Sequence, residues 1–261
     1  MSSKYLLTIE TSNGFIFGGI AESMYGVARN NVIVKITDKS MVLESRGEGN
    51  TEIFRTELFS HKFNYYDVPK DGKIIYMEFS VSDFKKIFKG TKKKVHVKLR
   101  LKNSDPSLLY IFRKLDGKDG TPKSKLPLID DVEPCEYDYP KFDESNPIVT
   151  VPASEFNSSL KTIYKTDSAT TKFRVYEKGI KISSCEVKGQ IIEEFPYGKK
   201  SKEILFSRKI STKTLINVTK CCKLDKFIRI YAIPESRTII LSIDVASNGV
   251  HNIYLLTKKK E

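Results

Sequence analysis

Histidine and cysteine, which often carry catalytic or metal-binding chemistry, are scarce in this chain. It has three histidines and four cysteines among its 261 residues. Two cysteines are neighbours, Cys221 and Cys222, and the others are isolated, so the set has neither zinc-ligand spacing nor the pattern of a disulfide framework. This cysteine usage indicates a reducing compartment and gives no support for a structural metal site.

The sequence also lacks the common signatures of an active site. Two of its three histidines, His96 and His251, fall in alternating strand-like runs, where an ordinary strand position explains them. There is no glycine-rich phosphate loop and no evident nucleophile–base pair. The acidic stretch 130–143 could suggest a metal site, but its spacing is not that of a calcium loop. We therefore expect no enzymatic activity, no cofactor and no bound metal.

Long apolar runs are missing as well. No run approaches the ~18 residues that a membrane-spanning helix needs. The opening residues, MSSKYLLTIE, lack the apolar segment of a secretory signal. We therefore expect no membrane among the partners of this protein.

Positive charge is what the chain has in excess. Lysine and arginine number 45 against 32 aspartates and glutamates, for a formal net charge of +13. A field of this sign and size favours polyanionic partners. A soluble basic protein from a lysine-rich proteome would show the same balance, so the positions of the lysines must decide between the two explanations.

A unit of strand, lysine-bearing helix and hairpin occurs twice in the chain. Its second copy spans 203–261, where the helix-like run TKTLINVTKCCK lies between strand-like runs. In that helix Leu215, Val218 and Cys222 form an apolar stripe that the lysines avoid. The first copy spans 73–115 and has the same order of elements. This internal repetition predicts two similar halves.

An acidic, proline-punctuated stretch separates these halves. Residues 129–147, IDDVEPCEYDYPKFDESNP, have neither helical nor strand periodicity, which indicates a surface linker. The linker divides the chain into an N-terminal half, 1–128, and a C-terminal half, 148–261. Within the first half, the polar run 63–72 is interpreted as a loop because it contains turn chemistry at its end.

Several runs resemble the sliding-clamp family of proliferating cell nuclear antigen. FSVSDFKKIFKG resembles the second helix of that family, VPASEFNSSLKTI the third and KTLINVTKCCKL the fourth. The ending VASNGVHNIYLLTKKKE, the chain length and the order of elements fit as well. The resemblance covers essentially the whole chain. It implies an α+β DNA-clamp fold, with antiparallel sheets outside, two helices per half inside, and assembly into a ring.

The resemblance also implies a function and a set of partners. The function is that of a DNA sliding clamp, a polymerase processivity factor that encircles duplex DNA and tethers replication and repair proteins. The implied partners are double-stranded DNA, DNA polymerase and other proteins with clamp-binding peptides, a clamp loader, and further copies of the chain in a homotrimer. The implied location is the nucleus or a viral replication compartment. A non-encircling basic nucleic-acid-binding protein and a checkpoint-type or viral accessory clamp subunit stay open as alternatives.

The DNA-binding residues implied by the resemblance are lysines on the helix faces. Ammonium groups can hold phosphates without reading bases, and the candidate helices carry no arginine, whose forked geometry favours fixed contacts. A solvated lysine face would look the same for any single residue, so the set as a whole carries the prediction. Its members are Lys86, Lys89, Lys161, Lys165, Lys213, Lys220 and Lys223.

The partner-binding site implied by the resemblance lies beneath the linker, where client peptides of the family insert aromatic anchors. Local packing of the linker on a sheet would explain the same apolar residues. The residues that would build the site are Ile53, Tyr137, Tyr139, Tyr254 and Leu255.

Three departures from the family pattern stand out. The first helical run, 12–28, carries Glu22 and no lysine, although the first helix of the family is basic. Ser158 replaces an arginine of the family, and Arg46 stands where an apolar residue lines its partner pocket. These departures favour a divergent clamp, such as a viral one, over a conventional cellular clamp.

Antiparallel sheets built from two repeated halves leave strand edges free, and free edges invite pairing with another copy of the chain. We expect these edges within 108–132 of the first half and 178–192 of the second half. A head-to-tail contact between them would close into a ring of three subunits in the family that the chain resembles.

Overall fold

The structure, a computed structural model, describes residues 4–26, 31–47, 51–69, 72–114, 124–129, 132, 139–184, 192–196 and 203–256. Within these ranges it has four α-helices and seventeen β-strands, and all strand pairings are antiparallel. The protein is therefore an α+β protein, as the sequence predicts.

The first half contains two helices, α1 (Phe15–Tyr25) and α2 (Val81–Phe88), and a short 3-10 turn at Ser60–Lys62. Its strands are β1 (Tyr5–Thr11), β2 (Asn31–Ile36), β3 (Ser40–Arg46), β4 (Glu52–Phe59), β5 (Tyr65–Asp67), β6 (Ile75–Ser80), β7 (His96–Lys102), β8 (Asp105–Lys114) and β9 (Ser124–Pro127).

The second half contains α3 (Ala153–Tyr164) and α4 (Thr212–Val218), and a 3-10 helix, Thr219–Lys223, continues α4. Its strands are β10 (Val149–Pro152), β11 (Thr170–Tyr176), β12 (Gly179–Ser184), β13 (Ile192–Pro196), β14 (Ile204–Ser211), β15 (Phe227–Ile233), β16 (Thr238–Asp244) and β17 (Gly249–Leu255).

The sheet topology shows the repeat directly. The order β4-β3-β2-β6 in the first half corresponds to β13-β12-β11-β14 in the second, and β1-β7-β8-β9 corresponds to β10-β15-β16-β17. The first half adds β5 beside β1. The two halves therefore share one topology, although their sequences differ.

The two halves are joined by a strand pairing between β17 and β4. Tyr254 lies opposite Ile53 and Gly249 lies opposite Leu58, so the strands pair along nearly their full length. This pairing merges β10-β15-β16-β17 with β4-β3-β2-β6 into one eight-stranded sheet. The corresponding strands at the other ends of the two halves, β9 and β13, are terminal strands of their sheets among the described residues.

The four helices form one layer against the sheets. Helix α1 contacts α2 on one side and α4 with its 3-10 extension on the other, and α3 contacts α4 from the far side. Glycine permits a close approach here, since a Cβ atom at Gly19 would lie 2.4 Å from Cδ2 of Leu224. Phenylalanines fill the space under α1 and α2, where the ring centroids of Phe17 and Phe88 lie 5.1 Å apart.

The last helical segment differs from the sequence prediction. Its buried apolar residues are Leu215, Val218 and Cys221, at intervals of three, while Cys222 is half-buried. A spacing of three residues per turn belongs to a 3-10 helix, and the segment changes to that form at Thr219. Cys222 lies at the edge of the apolar face, where it packs against the core while half-buried, and Cys221 is the fully buried cysteine of the segment.

Two further boundaries differ from the prediction. The run 63–72 is not wholly a loop, because β5 lies within it and pairs with β1. Since Tyr65 and Asp67 are exposed, this edge strand lacks the alternating pattern that marks a half-buried strand. The helix expected across 12–28 is α1 alone, and residues 27–30 lie outside the described residues.

Candidate functional site

The solvent-facing side of the helix layer carries the lysines that the sequence singled out. Lys161 lies on α3, Lys165 follows its last turn, and Lys213 lies on α4; all three are exposed. Lys89 follows the last turn of α2 and is exposed as well. None of these four has an ion pair with a carboxylate among the described residues. Their charge is therefore available to a polyanion.

Two other lysines of the predicted set are already paired with carboxylates. Lys86, whose side chain is 73% exposed, lies 2.9 Å from Asp83 in the preceding turn of α2. Lys223, 68% exposed, lies 2.6 Å from Glu22 of α1. Exposed pairs of this kind contribute about 0–1 kcal/mol and are screened by salt. Their main effect is to neutralise these two lysines locally.

Lys220 sits at the centre of the layer, where the halves meet. Its Nζ donates to Oδ1 of Asn217 at 2.7 Å, and Nδ2 of Asn217 donates to the carbonyl oxygen of Gly26 at 2.9 Å. Beside it, Nζ of Lys85 lies 3.4 Å from the ring centroid of Tyr25. Burial and then the positive charge of Lys85 lower the pKa of Lys220. We call Tyr25, Lys85, Asn217 and Lys220 the junction cluster.

Sequence reasoning did not include Tyr25, Lys85 or Asn217 among the candidate residues. Tyr25 ends the helix that has no lysine, so a search for positive charge passes over it. Lys85 lies beside Lys86 in the sequence, and only the contact with Tyr25 separates their environments.

The outer face of the eight-stranded sheet holds the predicted partner-binding residues. Ile53 and Tyr254 are cross-strand neighbours and both are buried. The ring of Tyr139 packs on Tyr254 with centroids 5.2 Å apart. The structure thus brings these three together in an apolar cluster separate from the main core. Leu255 points to the other face of β17 and is buried in the main core, and Tyr137 lies outside the described residues.

Residues 139–147 lie across this cluster without regular secondary structure. Phe142 holds the segment down, with its ring centroid 4.8 Å from that of Tyr231 and 6.3 Å from that of Tyr254. The hydroxyl of Tyr231 donates to the carbonyl oxygen of Glu144 at 2.8 Å. Phe142 and Tyr231 were absent from the predicted site, although outward alternation along β15 could have identified Tyr231.

A cavity of about 720 Å³ opens between this segment and strands β2, β3, β4 and β6. On its floor Arg55 lies between Glu44 and Glu57, at 3.3 and 2.9 Å. Burial raises the pKa of Glu44, against the opposing effects of a hydrogen bond with Tyr139 and the charge of Arg55. The charged residues that line this cavity balance, so the cavity lacks the excess positive charge of the helix layer.

Arg46 and Arg208 shape the rim of the outer apolar cluster. Arg46 is the cross-strand neighbour of Ile53, which puts a guanidinium beside the apolar residues. Arg208 of β14 donates to the carbonyl oxygens of Leu255 and Leu256, and the amide of Leu256 donates to the carbonyl oxygen of Thr51 at 2.7 Å. These contacts fix the end of β17 next to the cluster.

The described part of the chain offers no group of three or more histidine, cysteine and acidic side chains arranged to hold a metal ion. The fully buried His251 instead bridges Ser23 and Thr56, with its ring nitrogens 3.2 and 2.7 Å from their hydroxyl oxygens. No helix in the described ranges has the length and apolar character needed to cross a membrane.

Comparison with known proteins identifies the fold. Neither a protein-family model nor a curated protein sequence matches the chain. The crystal structure of proliferating cellular nuclear antigen from Entamoeba histolytica is similar to it, with a TM-score of 0.79 over 97% of this chain and 98% of that chain. Sequence identity across this match is 13%, so the match is evidence for the fold alone. The chain has the sliding-clamp fold, and the fold expected from its sequence is confirmed.

Proposed function

We propose that this protein is a DNA sliding clamp, a processivity factor that encircles duplex DNA and tethers replication and repair proteins. The observation that carries the proposal is the helix layer, which presents exposed lysines and no arginine on the side away from the sheets. Lysines hold phosphates as mobile point charges, without the fixed fork of arginine. Such a face suits binding that must not stop movement along the duplex.

The repeat in the fold supports assembly into a ring. The pairing of β4 with β17 joins the halves inside one chain, and β13 and β9 occupy the corresponding positions at its two ends. Pairing β13 of one subunit with β9 of the next would repeat the internal contact between chains. Such a head-to-tail contact closes when the rotation permits, and we propose a homotrimer by analogy with the family resemblance. Strand β9 lies within the first expected edge region, 108–132, whereas β13 shares only Ile192 with the second, 178–192, which otherwise covers the inner strand β12.

We propose that the outer apolar cluster is the docking site for peptides of DNA polymerase and other clients, and that a clamp loader opens the ring. The protein then acts as a binding scaffold without catalytic activity. The half-buried ring of Tyr139, which packs on the buried ring of Tyr254, offers aromatic surface at the edge of the linker segment. Burial of two aromatic anchors would contribute about 1.5–3 kcal/mol each before ordering costs, which fits exchangeable binding.

Retention on circular DNA tests the encircling function. Dilute protein is mixed with nicked circular plasmid, concentrated so that subunits assemble around the DNA, and passed through a sizing column at high salt. We expect the protein to stay with the circle and to be lost when a restriction enzyme linearises the same plasmid. Equal retention on circular and linear plasmid would instead support a basic protein that binds DNA without encircling it.

Light scattering provides the assembly test. We expect a solution mass of three chains at low salt and micromolar concentration. A mass of one chain under these conditions would contradict the ring.

A further inference from the structure

The helix-layer lysines that contact another side chain fall into two electrostatic classes. Lys86 and Lys223 are paired with carboxylates, at 2.9 and 2.6 Å. Lys85 and Lys220 have no carboxylate within ion-pair distance among the described residues; Lys85 lies over an aromatic ring and Lys220 donates to a side-chain amide. The second class therefore keeps its charge, although its members are held in place by neutral groups.

The neutral partners fix where these two ammonium groups lie. Nζ of Lys85 lies over the face of Tyr25, where the quadrupole of the ring attracts a cation. Nζ of Lys220 is held by Asn217, which is itself tied to the backbone of Gly26. A Cβ atom at Gly26 would lie 2.2 Å from Cγ of Asn217, so the end of α1 and the helix α4 are in close contact here. Both lysines are thus held in place by contacts with groups at the end of α1, where the two halves meet.

Holding like charges near each other costs free energy unless another interaction offsets that cost. Lys85 lies on Tyr25, and Lys220 is tied through Asn217 to the adjacent Gly26, so the two ammonium groups share one small region, where like charges repel each other. Burial is the main cause of the lowered pKa of Lys220; the charges of Lys85 and Lys223 lower it further, and that of Glu22 raises it. An anion placed between them would relieve that repulsion. Tyr25 is 43% exposed, which leaves its ring partly open to solvent beside the two lysines. A phenol hydroxyl can donate to an anionic oxygen.

We propose that Lys85, Lys220 and Tyr25 form a phosphodiester-binding point on the helix layer, where the two halves of the chain meet. The proposal rests on the proposed function, because the duplex it serves is the one that passes along this layer. It goes further in ranking the lysines: the junction cluster holds the backbone most firmly, and the carboxylate-paired lysines contribute little. Tyr25 acts by orienting Lys85 and by donating its hydroxyl.

The test measures equilibrium binding of a short linear duplex by fluorescence anisotropy over a range of salt concentrations. We expect Lys85→Ala and Lys220→Ala each to weaken binding by roughly three- to ten-fold and to lower the salt slope by about 1. Lys86→Ala and Lys223→Ala, which remove the same charge from the same layer, are matched controls and should weaken binding less than about two-fold. The Lys85→Ala, Lys220→Ala double variant should lose less than the product of the single effects, because both lysines serve one phosphate.

Variants of Tyr25 separate its two roles. Tyr25→Phe keeps the ring over which Lys85 lies and removes the hydroxyl, so it should weaken binding less than Tyr25→Ala does. Equal losses in all four lysine variants would show a diffuse field and overturn the proposal. Unchanged binding in both junction variants would overturn it as well. Circular dichroism confirms that each variant is folded.

The outcome is independent of the encircling test. If wild-type protein is retained on circular plasmid and the lysine variants are all alike, the proposed function stands and the phosphate-binding point falls. If retention does not depend on a closed circle but the junction lysines dominate duplex binding, the phosphate-binding point stands and encirclement falls.

Discussion

The buried histidine that joins the two halves makes the chain sensitive to acid in a calculable way. His251 is inaccessible to solvent on β17, between α1 and β4. The hydroxyl of Ser23 donates to the carbonyl oxygen of Ile20 at 2.8 Å, so its oxygen is free to accept from Nε2 of His251. The Nδ1 atom then accepts from the hydroxyl of Thr56. This network fits a neutral imidazole, and burial lowers its pKa from 6.5 to about 3.

The sign of the effect follows from proton linkage. Between pH 6.5 and about 3 the unfolded chain binds a proton at this histidine that the folded chain does not. The stability that the neutral, buried His251 contributes is therefore fully present above the pKa of this histidine in the unfolded chain, and it is lost as the pH falls below that value. Each pH unit in this window removes about 1.4 kcal/mol, so about 2–3 kcal/mol is lost by about pH 4.5.

Urea denaturation of wild type, His251→Gln and His61→Gln at neutral and acidic pH isolates this contribution from that of the carboxylates. Glutamine can hydrogen-bond Ser23 and Thr56 but does not titrate in this range. We expect His251→Gln to lose about 2–3 kcal/mol less than wild type between neutral pH and about pH 4.5. His61 is exposed, and its variant should follow wild type. Identical pH dependence in wild type and His251→Gln would refute the reasoning.

Three further predictions concern assembly and clients. Successive N–H groups of β13 point to opposite edges of the strand, so Glu193→Pro and Glu194→Pro should have different effects. One of the two variants should block the free edge and give monomers by light scattering. The other should remove a hydrogen bond to β12 and lower stability. Trimers from both variants would contradict the edge assignment. Tyr254→Ala should weaken a cognate polymerase peptide at least ten-fold in calorimetry, and unchanged affinity would move the site elsewhere. Arg46→Leu should strengthen the same peptide, because it removes a guanidinium beside Ile53, and weaker binding would show that Arg46 contacts the client.

Much of the fold could be predicted from the sequence because the same unit of strand, helix and hairpin occurs in both halves. Phe84 and Phe88 have the spacing of an apolar helix face in the sequence, and both are buried in α2. The change from α-helix to 3-10 helix at Thr219 could not be predicted, because apolar residues spaced by three and by four positions are not distinguishable over a single turn. The pairing of β4 with β17 joins residues about 200 positions apart, and local pattern carries no information about such contacts.

The candidate site was only partly predictable for the same reason. Helix periodicity shows which lysines leave the core, but it does not show which of them meet a carboxylate on another element. Lys223 meets Glu22 from 201 positions away, whereas Lys86 meets Asp83 within its own helix. On the outer face, strand alternation separates Tyr254 from Leu255 once β17 is known to lie between two sheet neighbours. That alternation was available in the sequence and would have removed Leu255 from the partner site.

The joining of the halves by β17 has a consequence for how the chain is made on the ribosome. Strand β4 is synthesised early, but its neighbour β17 follows every other strand of both halves in sequence. During translation the edge of β4 therefore stays open while nearly the entire chain emerges, and an open edge is a template for pairing with other nascent chains. Polysomes carrying many copies would favour such mispairing. We expect folding yield to depend on chaperones that cover this edge until the last strand arrives.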